Sequence, residues 1–178
     1  GMGKDFYENS EAARSFFDQA QKILDFDLKE MCFGEHEELN LTEYTQPCMV
    51  SVCLAIVQEL KKRGINPDIT AGLSLGEYAA VAAADGMNEL DAIKLVRRRG
   101  ILMQSTVPAG EGAMAAVLGL DAKKIEEILE SFENVWIANY NCPGQIVITG
   151  LTNEVKQASL ALKEAGAKRV VELKVSGP

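Results

Sequence analysis

Ser74 is framed by Gly72-Leu73 and Leu75-Gly76, directly after the apolar run Ile69-Thr70-Ala71 and directly before Glu77-Tyr78-Ala79-Ala80-Val81-Ala82-Ala83-Ala84. One serine between two glycines, at the change from a strand-like to a helix-like pattern, suits a nucleophile elbow. The chain must reverse sharply there so that the hydroxyl projects alone, and the close approach of the two backbones leaves no room for side chains at the flanking positions. Glu77 lies at the positive end of the following helix. The same residues also fit a glycine-rich strand-to-helix turn with a serine N-cap. Chemistry at Ser74 needs a base, because a serine hydroxyl is a weak nucleophile at neutral pH. The chain has a single histidine, His36, in the acidic stretch Gly34-Glu35-His36-Glu37-Glu38, which reads as a solvated loop or helix start rather than as a catalytic segment.

The elements that must position this serine are mostly helical up to about residue 108. Glu11 to Leu24 has apolar residues at helical spacing, with Asn9 or Ser10 as N-cap. A second helix opens at Thr45-Gln46-Pro47, with proline near its first turn, and runs to Arg63 before Gly64. Asn88-Glu89-Leu90-Asp91 resembles a capping box and starts a third helix through Arg99 towards Gln104. The turn-rich stretch Pro108-Ala109-Gly110-Glu111-Gly112 then separates this half from one of different period. Ala113 to Leu118 reads as a strand and Asp121 to Glu130 as a helix. Val135 to Tyr140 and Gln145 to Thr149 are strands joined by Asn141-Cys142-Pro143-Gly144, Asn153 to Ala165 is a helix stopped at Gly166, and Arg169 to Val175 is a fourth strand. That order, β-α-β-β-α-β, is the split arrangement of ferredoxin-like domains. The expectation is an α/β protein with one subdomain over residues 1–108 and a ferredoxin-like subdomain over residues 109–178.

Composition narrows the function classes. A length of 178 residues with 47% hydrophobic content allows one large domain or two small ones with a buried core. Cys32, Cys48, Cys53 and Cys142 show no C-x-x-C spacing and read as buried free thiols, and one histidine does not complete a Cys/His zinc site. A net charge of −8 disfavours nucleic acid as a partner, since backbone binding rests on clustered Lys and Arg. No apolar run approaches a membrane span and no signal pattern opens the chain, so a cytoplasmic location is expected.

Four segments together carry a family resemblance: Gly72-Leu73-Ser74-Leu75-Gly76-Glu77-Tyr78, Thr45-Gln46-Pro47, Arg99-Gly100 followed by Met103-Gln104, and Asn139-Tyr140-Asn141-Cys142-Pro143-Gly144-Gln145. In order and spacing, over essentially the whole chain, they resemble malonyl-CoA:acyl carrier protein transacylases. The resemblance implies a hydrolase-like α/β subdomain that carries the elbow, with an inserted ferredoxin-like subdomain. It implies transfer of a malonyl group from malonyl-CoA to Ser74 and then to the phosphopantetheine thiol of acyl carrier protein, in fatty acid biosynthesis. Ser74 is then the nucleophile, the Leu75 N–H one oxyanion donor, and Arg99 the grip on the malonyl carboxylate. A guanidinium suits that task, because it meets a carboxylate with two parallel charge-assisted hydrogen bonds. Successive helical positions differ by about 100°, so Arg97 and Arg98 point away from a site that Arg99 faces; three cations pairing with surface acids is the plainer alternative. Gln46 and Asn139 lie in motifs near the family's pocket, although Gln46 also suits a helix cap and Asn139 a brace for the loop before Pro143. No metal or bound organic cofactor is implied, coenzyme A arriving as part of the substrate.

The sequence departs from the family's pattern in places. Leu73 stands where many relatives carry histidine, and Cys142 where serine is common. The family's catalytic histidine lies just beyond a Val-Ser-x-Pro segment, matched here by Val175-Ser176-Gly177-Pro178. Its second oxyanion donor belongs to a Gly-Gln-Gly motif shortly before a Gly-Met-Gly segment, matched by Gly1-Met2-Gly3. The expectation is therefore the central part of a longer acyltransferase, with little turnover from these residues alone. A polyketide synthase acyltransferase domain, a serine hydrolase and a non-catalytic interaction domain are the alternatives. An acidic carrier protein needs a local basic patch, for which Lys168, Arg169 and Lys174 are candidates.

Overall fold

The structure, a computed structural model, describes residues 1–106 and 110–173. The chain falls into two compact units, Gly1–Met103 and Gln104–Pro178. The expected boundary at residue 108 lies outside the described residues, as do Lys174 and the end of the expected fourth strand.

In the first unit six helices surround one core. Helix α1 (Lys4–Asn9) precedes α2 (Glu11–Gln21), whose N-cap Ser10 accepts a hydrogen bond from the Ala13 N–H. Ala13, Phe16, Phe17 and Ala20 form the buried stripe of α2, and the Phe17 ring meets Tyr7 edge-on. Helix α3 (Leu28–Phe33) and a 3-10 turn at Glu37–Asn40 lead into α4 (Thr42–Lys62). Then follow α5 (Gly76–Ala83) and α6 (Glu89–Thr106). Val50, Leu54 and Ala55 of α4 pack with Ala92, Ile93 and Val96 of α6. The Asn88 side chain accepts from the N–H groups of Leu90 and Asp91, which caps α6 as its sequence predicts.

Helix α4 starts one turn earlier than predicted, so Pro47 is inside it. A proline there supplies no N–H to the carbonyl four residues back. That carbonyl, on Glu43, instead accepts from Arg97 Nη1 at 2.8 Å. The strand expected at Ile69-Thr70-Ala71 is not formed. Residues 65–72 are irregular and largely exposed, with Ile69 89% accessible. A strand exists through a neighbour's backbone groups, and the first unit holds no strand among its described residues to provide them.

The second unit runs β1 (Gly112–Leu118), α7 (Ala122–Leu129), β2 (Val135–Cys142), β3 (Gln145–Leu151), α8 (Thr152–Glu164), β4 (Arg169–Leu173). Its antiparallel sheet has the order β2-β3-β1-β4. Strand β1 pairs with β3 (Ala115 opposite Ile148) and with β4 (Ala115 opposite Glu172). Because β1 and β2 are separated by β3, α7 crosses over the sheet, and this is the ferredoxin-like arrangement predicted. Ala113, Ala115, Val117, Ile146 and Ile148 meet Ile125 and Leu129 of α7 and Val155, Ala158 and Leu162 of α8 in one core. The turn between β2 and β3 is only Pro143-Gly144, with Gly144 at φ 80. The thiols are a correction: Cys32 and Cys48 are buried, but Cys53 and Cys142 are exposed.

Candidate active site

Ser74 has a φ of 49, one of two non-glycine residues with positive φ among those described. This left-handed conformation costs a residue with a side chain about 1 kcal/mol or more, and it turns the hydroxyl out of the path of the chain. The turn leads directly into α5: the N–H groups of Gly76, Glu77 and Tyr78 bond back to the carbonyls of Leu73, Ser74 and Leu75. The N–H of Leu75 makes no hydrogen bond among the described residues and is free to meet an anion at the helix start.

Of the two flanking glycines, only Gly72 is required by space. A Cβ there would lie 2.1 Å from the Gly76 carbonyl carbon and 2.3 Å from the Glu77 nitrogen, whereas a Cβ on Gly76 meets nothing within 4 Å. The close approach is thus between residue 72 and the backbone at residue 76, and the expectation of crowding at both positions holds at one.

Arg99 reaches this serine from α6, its Nη2 donating to Ser74 Oγ at 3.1 Å. An Oγ that accepts from a guanidinium directs its own proton elsewhere, where a base could collect it. Nη1 of Arg99 donates to Gln46 Oε1 on α4 at 2.7 Å, and Gln46 Nε2 donates to Met103 Sδ at 3.2 Å. The guanidinium also lies 5.9 Å from the centre of the Tyr78 ring. The approach of α6 to α4 depends on Gly100, whose added Cβ would be 2.7 Å from Glu43 Cα and from the Thr42 carbonyl oxygen.

The neighbouring arginines behave as helical geometry predicts. Arg97 bonds Asp25 (Nη2 to Oδ2, 2.9 Å) and Glu43 (Nη1 to Oε2, 3.0 Å), lies against the touching rings of Phe26 and Tyr44, and so braces the fold. Its guanidinium holds the Asp25 carboxyl below the usual carboxylate range. Arg98 is exposed. Gln46 does not cap a helix; it is the fifth residue of α4 and buried at 4% exposure. Asn139 belongs to the second unit, in β2 opposite Val147, at a shift in register. His36 Nε2 lies 3.0 Å from Glu30 Oε1, and the bond known for Ser74 Oγ is the one to Arg99.

Two contributors, Tyr78 and Met103, belong to segments that carry the family resemblance, but the sequence assigns neither a role. Met103 follows Arg99 by four within α6 and so shares a helical face with it, whereas Tyr78 lies in the first turn of α5, beyond the turn that holds Ser74. For Met103 that spacing was the available signal; the partners on other helices were not.

Comparison with known proteins gives the same direction. The model of the acyl transferase domain family matches residues 1–176. A malonyl CoA-acyl carrier protein transacylase of Bacillus subtilis (strain 168) is 47% identical over 183 residues, covering 100% of this chain and 58% of the relative. The crystal structure of a malonyl CoA-acyl carrier protein transacylase from Clostridium perfringens superimposes with a TM-score of 0.92 at 42% identity, over 100% of this chain and 57% of that one. A malonyl-transacylase solved in complex with a type II PKS acyl-carrier protein has a TM-score of 0.94 at 39% identity, over 100% of this chain and 59% of that one. The chain therefore spans somewhat under three fifths of the length of these relatives.

Proposed function

The chain belongs to the acyl transferase domain family, and on that premise we propose that the protein moves a malonyl group from malonyl-CoA to the phosphopantetheine thiol of an acyl carrier protein, through an ester on Ser74. The observation that carries this reading is the guanidinium of Arg99 at 3.1 Å from the hydroxyl of a serine held in the left-handed conformation. A hydrolase of simple esters has no use for a fixed cation beside its nucleophile; an enzyme for a substrate with a carboxylate two carbons from the thioester carbonyl does.

In the first half-reaction Ser74 Oγ attacks the thioester carbonyl and gives its proton to a base. The carbonyl oxygen gains the charge, facing the Leu75 N–H, and the C–S bond breaks to release the coenzyme A thiol after protonation. Arg99 exchanges Ser74 for the malonyl carboxylate. In the second half-reaction the carrier's thiol attacks the ester and Ser74 recovers its proton. No metal or bound cofactor enters this scheme, and the coenzyme A thioester is a substrate. Asn139 is kept as a substrate contact on the resemblance alone. His36, paired with Glu30, is not assigned the base. With no base assigned, we expect a polypeptide of these 178 residues by itself to turn over slowly.

The curated relative's name and the neighbour solved with an acyl-carrier protein support a carrier protein as the acceptor. We assign fatty acid biosynthesis as the pathway, with polyketide assembly as the alternative; the carrier that accepts the malonyl group separates them. Lys168 and Arg169, both exposed beside the start of β4, remain candidates for docking it. No helix is long and apolar enough to cross a membrane among the described residues, and a cytoplasmic location goes with the proposal.

The test is the intact mass of the protein before and after brief exposure to malonyl-CoA, beside Ser74→Ala. A malonyl adduct that the alanine variant lacks supports the reading. Equal adducts on both, or ester hydrolysis without transfer to carrier protein, would overturn it.

A further inference from the structure

Resting on that reading, we propose that Gln46 and Met103 are positioning residues for Arg99, and through it select acyl groups that bear a carboxylate. Gln46 is buried, inside a helix and away from any cap, so its amide must find partners within the protein. It has them on both sides: Oε1 accepts from Arg99 Nη1 at 2.7 Å and Nε2 donates to Met103 Sδ at 3.2 Å. The orientation follows from the partners. A flipped amide would set its NH2 against a guanidinium that only donates, and its oxygen against a thioether that has no hydrogen to give. Both bonds are lost together, so the amide is locked with its acceptor towards Arg99.

A locked acceptor fixes one edge of a planar fork. One N–H of Arg99 is committed to Gln46 and another rests on Ser74 Oγ. The second is the one a substrate carboxylate can take, because ester formation makes Oγ a weaker acceptor while a carboxylate is a stronger one. Gln46 thus holds Arg99 beside the nucleophile without touching the acyl group. The arginine is kept within reach of a carboxylate two carbons away, and is not free to swing to solvent as a long side chain otherwise would.

The experiment is a double-mutant cycle in the intact protein, reading kcat and KM for acylation with malonyl-CoA and with acetyl-CoA. Gln46→Ala is expected to lower kcat/KM for malonyl-CoA about tenfold or more, chiefly through KM, with the acetyl-CoA value changed less than about threefold. On an Arg99→Ala background the same substitution is expected to do nothing further, since its only route to substrate is gone. Met103→Leu keeps the volume and removes only the acceptor, so it folds even if Gln46→Ala does not, and it is expected to cost malonyl-CoA about two- to fivefold. Equal losses with both thioesters, or losses that multiply in the Arg99→Ala background, overturn the positioning role. A wild-type protein that takes no malonyl group overturns the underlying reading, and is seen before any variant is compared.

Discussion

Gly100→Ala adds one methyl group where α6 comes closest to α4. Considered as a helix substitution it should help, since alanine is favoured over glycine in a helix interior by about 1 kcal/mol. The new Cβ, however, would lie 2.7 Å from Glu43 Cα and from the Thr42 oxygen, where ordinary contact begins at 3.4 Å. Both obstacles are backbone at the start of a helix, so relief requires the two helices to part by about 0.7 Å rather than one side chain to turn. Overpacking of this kind costs about 1–3 kcal/mol, and with rigid neighbours the upper half of that range applies. Net destabilisation of about 1–2 kcal/mol follows, which for a chain of this size lowers the thermal midpoint by about 3–6 °C. The same movement stretches the 2.7 Å bond from Arg99 to Gln46 to the edge of hydrogen-bonding range, so preference for malonyl-CoA over acetyl-CoA should fall with stability. The assay is thermal unfolding by circular dichroism beside acyl-enzyme formation with each thioester. Gly76→Ala, where the added Cβ meets nothing within 4 Å, is the control for thermal unfolding, expected within about 0.5 kcal/mol of wild type. A midpoint for Gly100→Ala equal to or above wild type would refute the reasoning, because the propensity gain would then have met no opposing contact.

Ser51 is fully buried in α4 and its hydroxyl has no partner among the described residues, so Ser51→Ala should raise the urea midpoint, by up to about 1 kcal/mol of stability; a lower midpoint would mean that the hydroxyl is bonded. Arg97→Ala strands the Glu43 carbonyl left open by Pro47 and two carboxylates, and should cost about 2–3 kcal/mol in urea unfolding, against less than about 0.5 kcal/mol for exposed Arg98→Ala. The Asp25 carboxyl is held low mainly by its hydrogen bond to Arg97. Its stabilisation is therefore present above the unfolded carboxylate value near pH 4 and is lost as pH falls through the lower folded value. Asp25→Asn should accordingly flatten the acid limb of stability against pH, and an unaltered limb would refute the assignment.

Local patterns in the chain determined a good deal. The helices at Glu11, Asn88 and Asp121 begin where capping side chains meet apolar periodicity, because both signals act within one turn and need no distant partner. The β-α-β-β-α-β order was legible for the same reason, each element being a short run between turn residues. The positive φ at Ser74 and the need for glycine at 72 follow from a sharp turn between two runs of different period. Local pattern failed where an outcome depends on what lies across space. Ile69-Thr70-Ala71 has the composition of a strand but no neighbouring strand among the described residues. Pro47 ends up inside α4 because Arg97, fifty residues later, satisfies the carbonyl that proline leaves open. Helical spacing separates Arg99 from Arg97 and Arg98, but only tertiary packing makes Gln46 its partner and places Met103 behind the amide. Those contacts join residues more than fifty positions apart through a helix crossing that one glycine permits. Sequence sets the chemistry each side chain is able to perform; the crossing of α4 and α6 decides which of them perform it together.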